Sequence, residues 1–408
     1  MTLRITWNQA SARRLERQFL ANPAKKDTPV AEIVGAMLGA HAQVLSAAEL
    51  SVGVRAVGVT RAGVREALWK GPGERLREGP GGRLPEGPGG RLPEGRSLVK
   101  MHGPRGTVHL LPAGELPMWC SALPAVRSGA SPFAVGVRVS EEQAREIVAA
   151  IGDALEGATL TIDELSEEVV ARVGAWAGDP VMPAFQGMWP RWRQVMHRAG
   201  QSGALCFGPD RGRKVTYTRP PEFTPLGAEE AVRELVRRYL RAYGPATPQN
   251  FAKWLAGGAR WAVELFGRLA EAGEIEEVVF EGDGGWWVVA GDVEFPEGAV
   301  SGVRLLPYFD AYGIAAQPRE TLFPGDAYRR ALARGQAGNY PVLLVDGVVA
   351  GVWHQRRRGR RTTVTVEPLG QLTARQEREL GEQVGRIGEV LEAEPELVVG
   401  PVTAGPHA

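Results

Sequence analysis

Between residues 228 and 243 the apolar positions Val232, Leu235, Val236, Tyr239, Leu240 and Tyr243 recur three and four apart. They form one stripe, and the spacing predicts a helix. Glu229 and Glu230 at its start and Arg237, Arg238 and Arg241 at its end suit the helix dipole, and Gly244 ends it. Thr247-Pro248 then caps a short helix through Trp254, and a third helix presents Ala262, Leu265, Phe266, Leu269 and Ala270 on one face. IEEVVFE and WWVVAG flank Asp283-Gly284-Gly285 and predict a hairpin. Three helices and a hairpin make the winged-helix plan.

The same order occurs twice more. A helix begins near 140, Thr161 with Glu164 opens a second, and a third after Pro190 carries Trp192, Val195, Met196 and Ala199. ALCFG and KVTYT then flank a turn at Asp210–Gly212. Nearer the N-terminus, helices at about 30–38, 47–57 and 61–70 precede SLVKM and TVHLL, which flank Gly103-Pro104-Arg105-Gly106. From 301 onward the pattern changes. VLLV and VVAGVW flank Asp346-Gly347, a type I′ hairpin signal, and TTVTVEP resumes the alternation, predicting a three-stranded meander. Thr373 and Gln376 cap a closing helix through about 392. The expected fold class is α+β: three tandem winged-helix units at 1–135, 136–224 and 225–298, then a β-meander and helix region at 299–408. Residues 71–95 repeat an eight-residue Gly/Pro-rich motif three times and read as a flexible, low-complexity insertion into the first unit, the alternative being an arginine-bearing tether along DNA.

Composition narrows the classes. The chain has 408 residues, 44% of them apolar, enough for two or three domains with real cores. It has no stretch of about 18 apolar residues and no apolar signal core at its N-terminus, so the expectation is a cytoplasmic protein without membrane contact. Cys120 and Cys206 are far apart and outside any C-x-x-C spacing, and read as reduced, buried side chains. The net charge is +1, but lysine is confined to Lys25, Lys26, Lys70, Lys100, Lys214 and Lys253, so arginine carries most of the positive charge. A GC-rich genome accounts for that bias; arginine also suits phosphate contacts and narrow grooves.

Two patterns could carry chemistry. The second turn of the meander reads His354-Gln355-Arg356-Arg357-Arg358-Gly359-Arg360-Arg361. Five arginines at a hairpin tip repel one another; they are either a solvated basic loop or a finger laid in a DNA groove, where phosphate contacts release counterions. The second pattern is LGAHAQVLSA, Leu38 to Ala47. His41 and Gln43, two apart, share a face only if the chain there is extended; their residue types alone leave a structural role open. His102, His109 and His197 have no ligand spacing, so neither a metal nor any other cofactor is expected. No nucleotide-binding or nucleophile-elbow motif occurs.

LGAHAQ (Leu38–Gln43), RGTVHLL (Arg105–Leu111), YGPATPQNFAKWLA (Tyr243–Ala256), LLPYFDAY (Leu305–Tyr312) and LLVDGVVAGVW (Leu343–Trp353) together resemble segments of the AlkZ-like bacterial DNA glycosylases. The resemblance implies tandem winged helices, excision of N7-alkylated purines from double-stranded DNA, unhooking of interstrand crosslinks, and in some members self-resistance to genotoxic natural products. It places the catalytic pair at His41 and Gln43, where the commoner first residue is glutamine, and a minor-groove hairpin at Gln355, Arg356, Arg357, Arg358, Arg360 and Arg361, with Arg105 a further DNA contact. Asp310 is a secondary candidate for electrostatic stabilisation, or else an anchored turn residue. A monomeric hydrolase is expected; the alternative is a non-catalytic winged-helix regulator.

Overall fold

The computed structural model describes residues 2–70, 95–126, 133–184 and 187–406. The repeat expected to be a flexible insertion, through residue 94, lies outside them. The chain groups into two compact units. One comprises Met1–Val64, Val236–Trp254 and Ala259–Ala408, the other Arg65–Leu235 and Leu255–Gly258.

The first unit is built around a five-stranded sheet whose strands follow chain order: Val303–Leu306, Val342–Val345, Val348–Arg358, Arg361–Pro368 and Glu394–Val399. The expected three-stranded meander is therefore extended at both edges. The first four strands pair antiparallel, but the last pairs parallel because the helix Ala374–Leu391 carries the chain back before it. Alternation sorts the sheet's two faces. Val303, Leu305, Leu343, Trp353, Val364 and Val366 meet Leu380, Val384 and Ile387 of that helix, while Leu306, Val342, Leu344 and Val352 face a second core. Each such side chain contributes about 1.5–3 kcal/mol on burial. The helix starts as expected, Thr373 accepting from the Gln376 amide while the Gln376 side chain reaches back to the Thr373 amide. Asp346 and Gly347 both have positive φ, as a type I′ turn requires.

Three helices, Ala228–Tyr243, Pro248–Leu255 and Ala259–Glu271, precede the hairpin Ile275–Phe280 and Asp283–Val289. Tyr239, Phe251 and Phe266 pack their rings together between them. Its turn is not at Asp283-Gly284-Gly285: Phe280 pairs with Asp283, so Glu281 and Gly282, with φ of 51° and 94°, make the reversal. Asp283 then begins the second strand, and the irregular register between Val278 and Phe280 takes up the offset. Unforeseen in the sequence is Arg4–Ile5, a parallel neighbour of that hairpin, followed by the helix Trp7–Arg17. Arg14 of that helix is fully buried and donates to the carbonyls of Gly244, Pro245 and Gln317, fixing two loops.

The second unit contains the hairpin Leu98–His102 and Val108–Pro112, the helices Leu116–Ala125, Glu141–Ala154 and Ile162–Val173, and a three-stranded sheet of Leu160–Thr161, Thr216–Thr218 and Cys206–Phe207. Thr161 and Glu164 form the expected reciprocal cap. The helix after Pro190 opens as a 3-10 turn at Arg191–Val195 and becomes α-helical only at Met196–Gln201. A small hairpin, Pro180–Pro183 with Met188–Pro190, was not foreseen. Cys120 and Cys206 are buried free thiols, pushed up to about 12 and about 11 by burial, so neither is a thiolate at neutral pH. Among the described residues no helix is long and apolar enough to cross a membrane.

Candidate active site

The joint carrying His41 and Gln43 is not helical. The helix Val30–Ala36 ends in a turn with Leu38 and Gly39 at positive φ, and Ala40–His41 is extended. The chain bends at Gln43, and the next helix, Leu45–Gly53, follows an extended Val44. His41 retains 9% of its surface, Ala42 is buried and Gln43 is exposed. The pair thus straddles a protein boundary, with the imidazole set into the wall and the carboxamide outside it.

The imidazole lies against Phe309, ring centroids 4.5 Å apart and planes tilted by 32°. Phe309 has φ of 55°, a left-handed conformation that a bulky side chain adopts only when its surroundings impose it, at a cost of about 1–3 kcal/mol. Its amide donates to the Gly338 carbonyl at 2.9 Å. Gly338 itself has φ of 96°, and a Cβ there would stand 3.2 Å from the Phe309 ring.

Asp310 follows, 3% exposed. Arg55, buried on the chain 255 residues away, grips it with both terminal nitrogens, Nη1 to Oδ2 at 2.7 Å and Nη2 to Oδ1 at 2.8 Å. Ser51 Oγ donates to Oδ2 at 2.6 Å and the Tyr312 amide to Oδ1 at 3.0 Å, so Asp310 also caps the helix Ala311–Ala315. Four donors meet the roughly four acceptor positions of a carboxylate. Further hydrogen bonds tie neighbouring segments of this unit: Tyr243 donates its hydroxyl to the Met37 carbonyl at 2.6 Å, and the Trp353 indole donates to the Leu306 carbonyl at 2.9 Å. Phe309, Arg55, Ser51 and Gly338 were not singled out in the sequence. LLPYFDAY could have drawn attention to Phe309, but nothing local announces its left-handed backbone.

The arginine turn is the tip of the hairpin Val348–Arg358 and Arg361–Pro368. Arg358 pairs with Arg361, and only Gly359 of the two turn residues has positive φ, as in a type II′ turn. Arg356, Arg357, Arg358, Arg360 and Arg361 are all exposed, whereas Gln355 is half-buried. Register divides them. Arg356 and Arg358, opposite Thr363 and Arg361, share one face; Arg357, opposite Thr362, lies on the other and donates to the Leu391 carbonyl at 3.3 Å. The strand Glu394–Val399 flanks one side, bringing Glu394 within 3.7 Å of Arg361. At the root, burial and then Arg356 hold His354 below the usual histidine range. His41, Gln43, Asp310 and the hairpin belong to the first unit, whereas Arg105, half-buried with φ of 60°, belongs to the second.

The other described histidines are spread through the fold. His109 Nδ1 bonds to the Thr107 carbonyl at 2.9 Å, and burial, with His197 adding, pushes His102 down to about 4. Among the described residues no group of three or more His, Cys, Asp or Glu could hold a metal ion.

The first unit thus carries a buried imidazole two residues from an exposed amide, and an exposed cationic hairpin. The family model described as DNA glycosylase AlkZ-like matches residues 90–390, and the chain belongs to that family. It is 29% identical over 368 residues to an "Interstrand DNA cross-link repair glycosylase" of Streptomyces sahachiroi, covering 86% of this chain and 88% of that protein. The structure of the Streptomyces sahachiroi DNA glycosylase AlkZ superposes with a TM-score of 0.74 at 26% identity, over 98% of this chain and all of that one.

Proposed function

We propose that the protein is a monofunctional DNA glycosylase that hydrolyses the N-glycosidic bond of N7-alkylated purines in double-stranded DNA, including bulky and crosslinked adducts. Family membership supports glycosylase activity, and the relative named for interstrand crosslink repair supports crosslinks as substrates. The observation that carries the reading is the non-helical joint, which sets a His41 that keeps only 9% of its surface two residues from an exposed Gln43.

An N7-alkylated purine already bears positive charge and leaves without strong protonation. What the enzyme must supply is a placed water and stabilisation of an oxocarbenium-like sugar. A neutral imidazole can accept a proton from water. The Gln43 carbonyl holds the same water and turns its dipole toward the developing cation. His41 offers too little surface to enclose a base, which favours an adduct that stays outside over extrusion of a bulky base into a tight pocket. The arginine hairpin enters the minor groove and Arg105 adds a contact. The protein acts as a monomer of tandem winged-helix units, divided as the sequence suggests, in the cytoplasm, and serves repair or self-resistance to a genotoxic natural product.

DNA carrying N7-methylguanine, incubated with the protein and then treated with alkali, should break at the abasic sites formed. His41→Ala and Gln43→Ala should each lower the single-turnover rate by about 10²–10³-fold with DNA affinity retained. Full excision by the double variant would place the chemistry elsewhere, and tight binding without base release from any N7 adduct would make the protein a non-catalytic binder.

A further inference from the structure

We infer that Asp310 is a positioning residue that touches neither the sugar nor the water: with Arg55 and Ser51 it holds the Phe309 ring as a platform that sets the orientation of His41. The inference rests on His41 being the group that activates water. Asp310 has no lone-pair direction left for a sugar cation, since Arg55, Ser51 and the Tyr312 amide occupy both oxygens, and Arg55 neutralises its charge at contact distance. It is instead the fixed point next to a residue whose backbone needs fixing. Phe309 is pinned on one side by its amide bond to Gly338 and on the other by the Asp310 anchor, which together hold its left-handed turn and aim its ring at His41.

The same network also grips the other approach to His41. Ser51 Oγ, which donates to Asp310, lies 3.9 Å from Met37 Sδ, and the Met37 carbonyl accepts from Tyr243 at the start of the turn leading to His41. One buried cluster thus fixes both the strand that carries the imidazole and the ring beneath it. Gly338 belongs to the device, because its backbone is left-handed and a side chain there would crowd the Phe309 ring.

The test follows the His41 imidazole by NMR in the full-length protein, its resonance assigned with His41→Gln, alongside single-turnover excision of N7-methylguanine. Phe309→Leu removes the platform but leaves the carboxylate network whole. It should move the His41 titration midpoint by half a unit or more and slow excision by about 10–100-fold, with DNA affinity unchanged. Asp310→Asn should do both as well, and Gly338→Ala should shift the midpoint less. Phe309→Leu excising at the parental rate with His41 unmoved would overturn the proposal. So would an inactive, folded Asp310→Asn in which His41 titrates normally, since that is the signature of a carboxylate acting directly on the sugar. If Asp310→Asn does not fold, Phe309→Leu decides alone. Were His41→Gln itself fully active, the catalytic reading would fall, while the titration shifts would still report whether the platform positions the ring.

Discussion

The Asp310 network and the arginine hairpin are opposite uses of charge within one compact unit. At Asp310 a single carboxylate is buried, matched donor for donor and neutralised by one guanidinium. At the hairpin tip five guanidinium groups stand exposed, with Glu394 near one of them. The first arrangement makes geometry: it is overdetermined and keeps a left-handed phenylalanine in place. The second makes potential: like charges crowded in water gain little from folding, and in the proposed function they serve to meet phosphates. Stability and binding should therefore separate cleanly between the two.

The largest effect is expected from breaking the buried pair. Removing one partner leaves an uncompensated charge in the core, so Asp310→Ala or Arg55→Ala should cost about 3–5 kcal/mol of unfolding free energy in urea melts. Replacing both by apolar residues should cost less than the two single changes summed. The hairpin with all five arginines changed to alanine should stay within about 0.5 kcal/mol of the parent. A loss below 1 kcal/mol at Asp310 would erase the contrast.

Binding should reverse the ranking. Each phosphate contact contributes about 0.9 to the slope of log affinity against log salt, so the five-alanine hairpin should flatten that slope by roughly 3–4 on undamaged duplex. Asp310→Asn should leave the slope alone. An unchanged slope in the hairpin variant would take the finger off the DNA.

Burial should also show in pH dependence. His102, in the second unit, is held at about 4 by burial, with His197 adding, so the folded state binds fewer protons than the unfolded chain between about pH 4 and the ordinary histidine value near 6.5. Its neutral form stabilises the fold fully above 6.5, and that contribution is lost as pH falls through the window. The loss should be on the order of 3 kcal/mol, and His102→Gln should flatten this part of the Tm-against-pH curve. A parallel curve for the variant would mean that His102 charges freely in the folded protein.

Much of this contrast is legible in the sequence itself. The helices 228–243 and 374–391 announced themselves because an apolar stripe, a cap and a stop agree in each, and the basic tip was plain from composition between two alternating runs. The extended joint at His41 followed from its place between two helices. Less local features stayed hidden. Asp283-Gly284-Gly285 looked like the turn, yet Glu281 accepts a left-handed backbone and moves the reversal two residues earlier. Glu394–Val399 has every side chain exposed, so it shows no alternation, and its pairing is set by the helix that returns the chain beside Arg361–Val366. Arg55 and Asp310 find each other across 255 residues, and no spacing within either segment encodes that meeting.

The smallest effect tests the comparison inside the hairpin itself. Arg357 differs from Arg356 and Arg358 in facing the closing helix, where it donates to the Leu391 carbonyl and to that of Gly359. It is therefore partly committed to geometry, like Arg55, although it is exposed like its neighbours. Arg357→Ala should change the salt slope by less than half as much as Arg356→Ala, while hydrogen exchange at residues 357–361 rises because the tip has lost a tether. Arg356→Ala should do the reverse, lowering the slope by about 0.9 with exchange unchanged. Equal slopes for the two would mean that both faces of the hairpin meet phosphate, so that the tip is wrapped by the groove instead of lying against one wall of it.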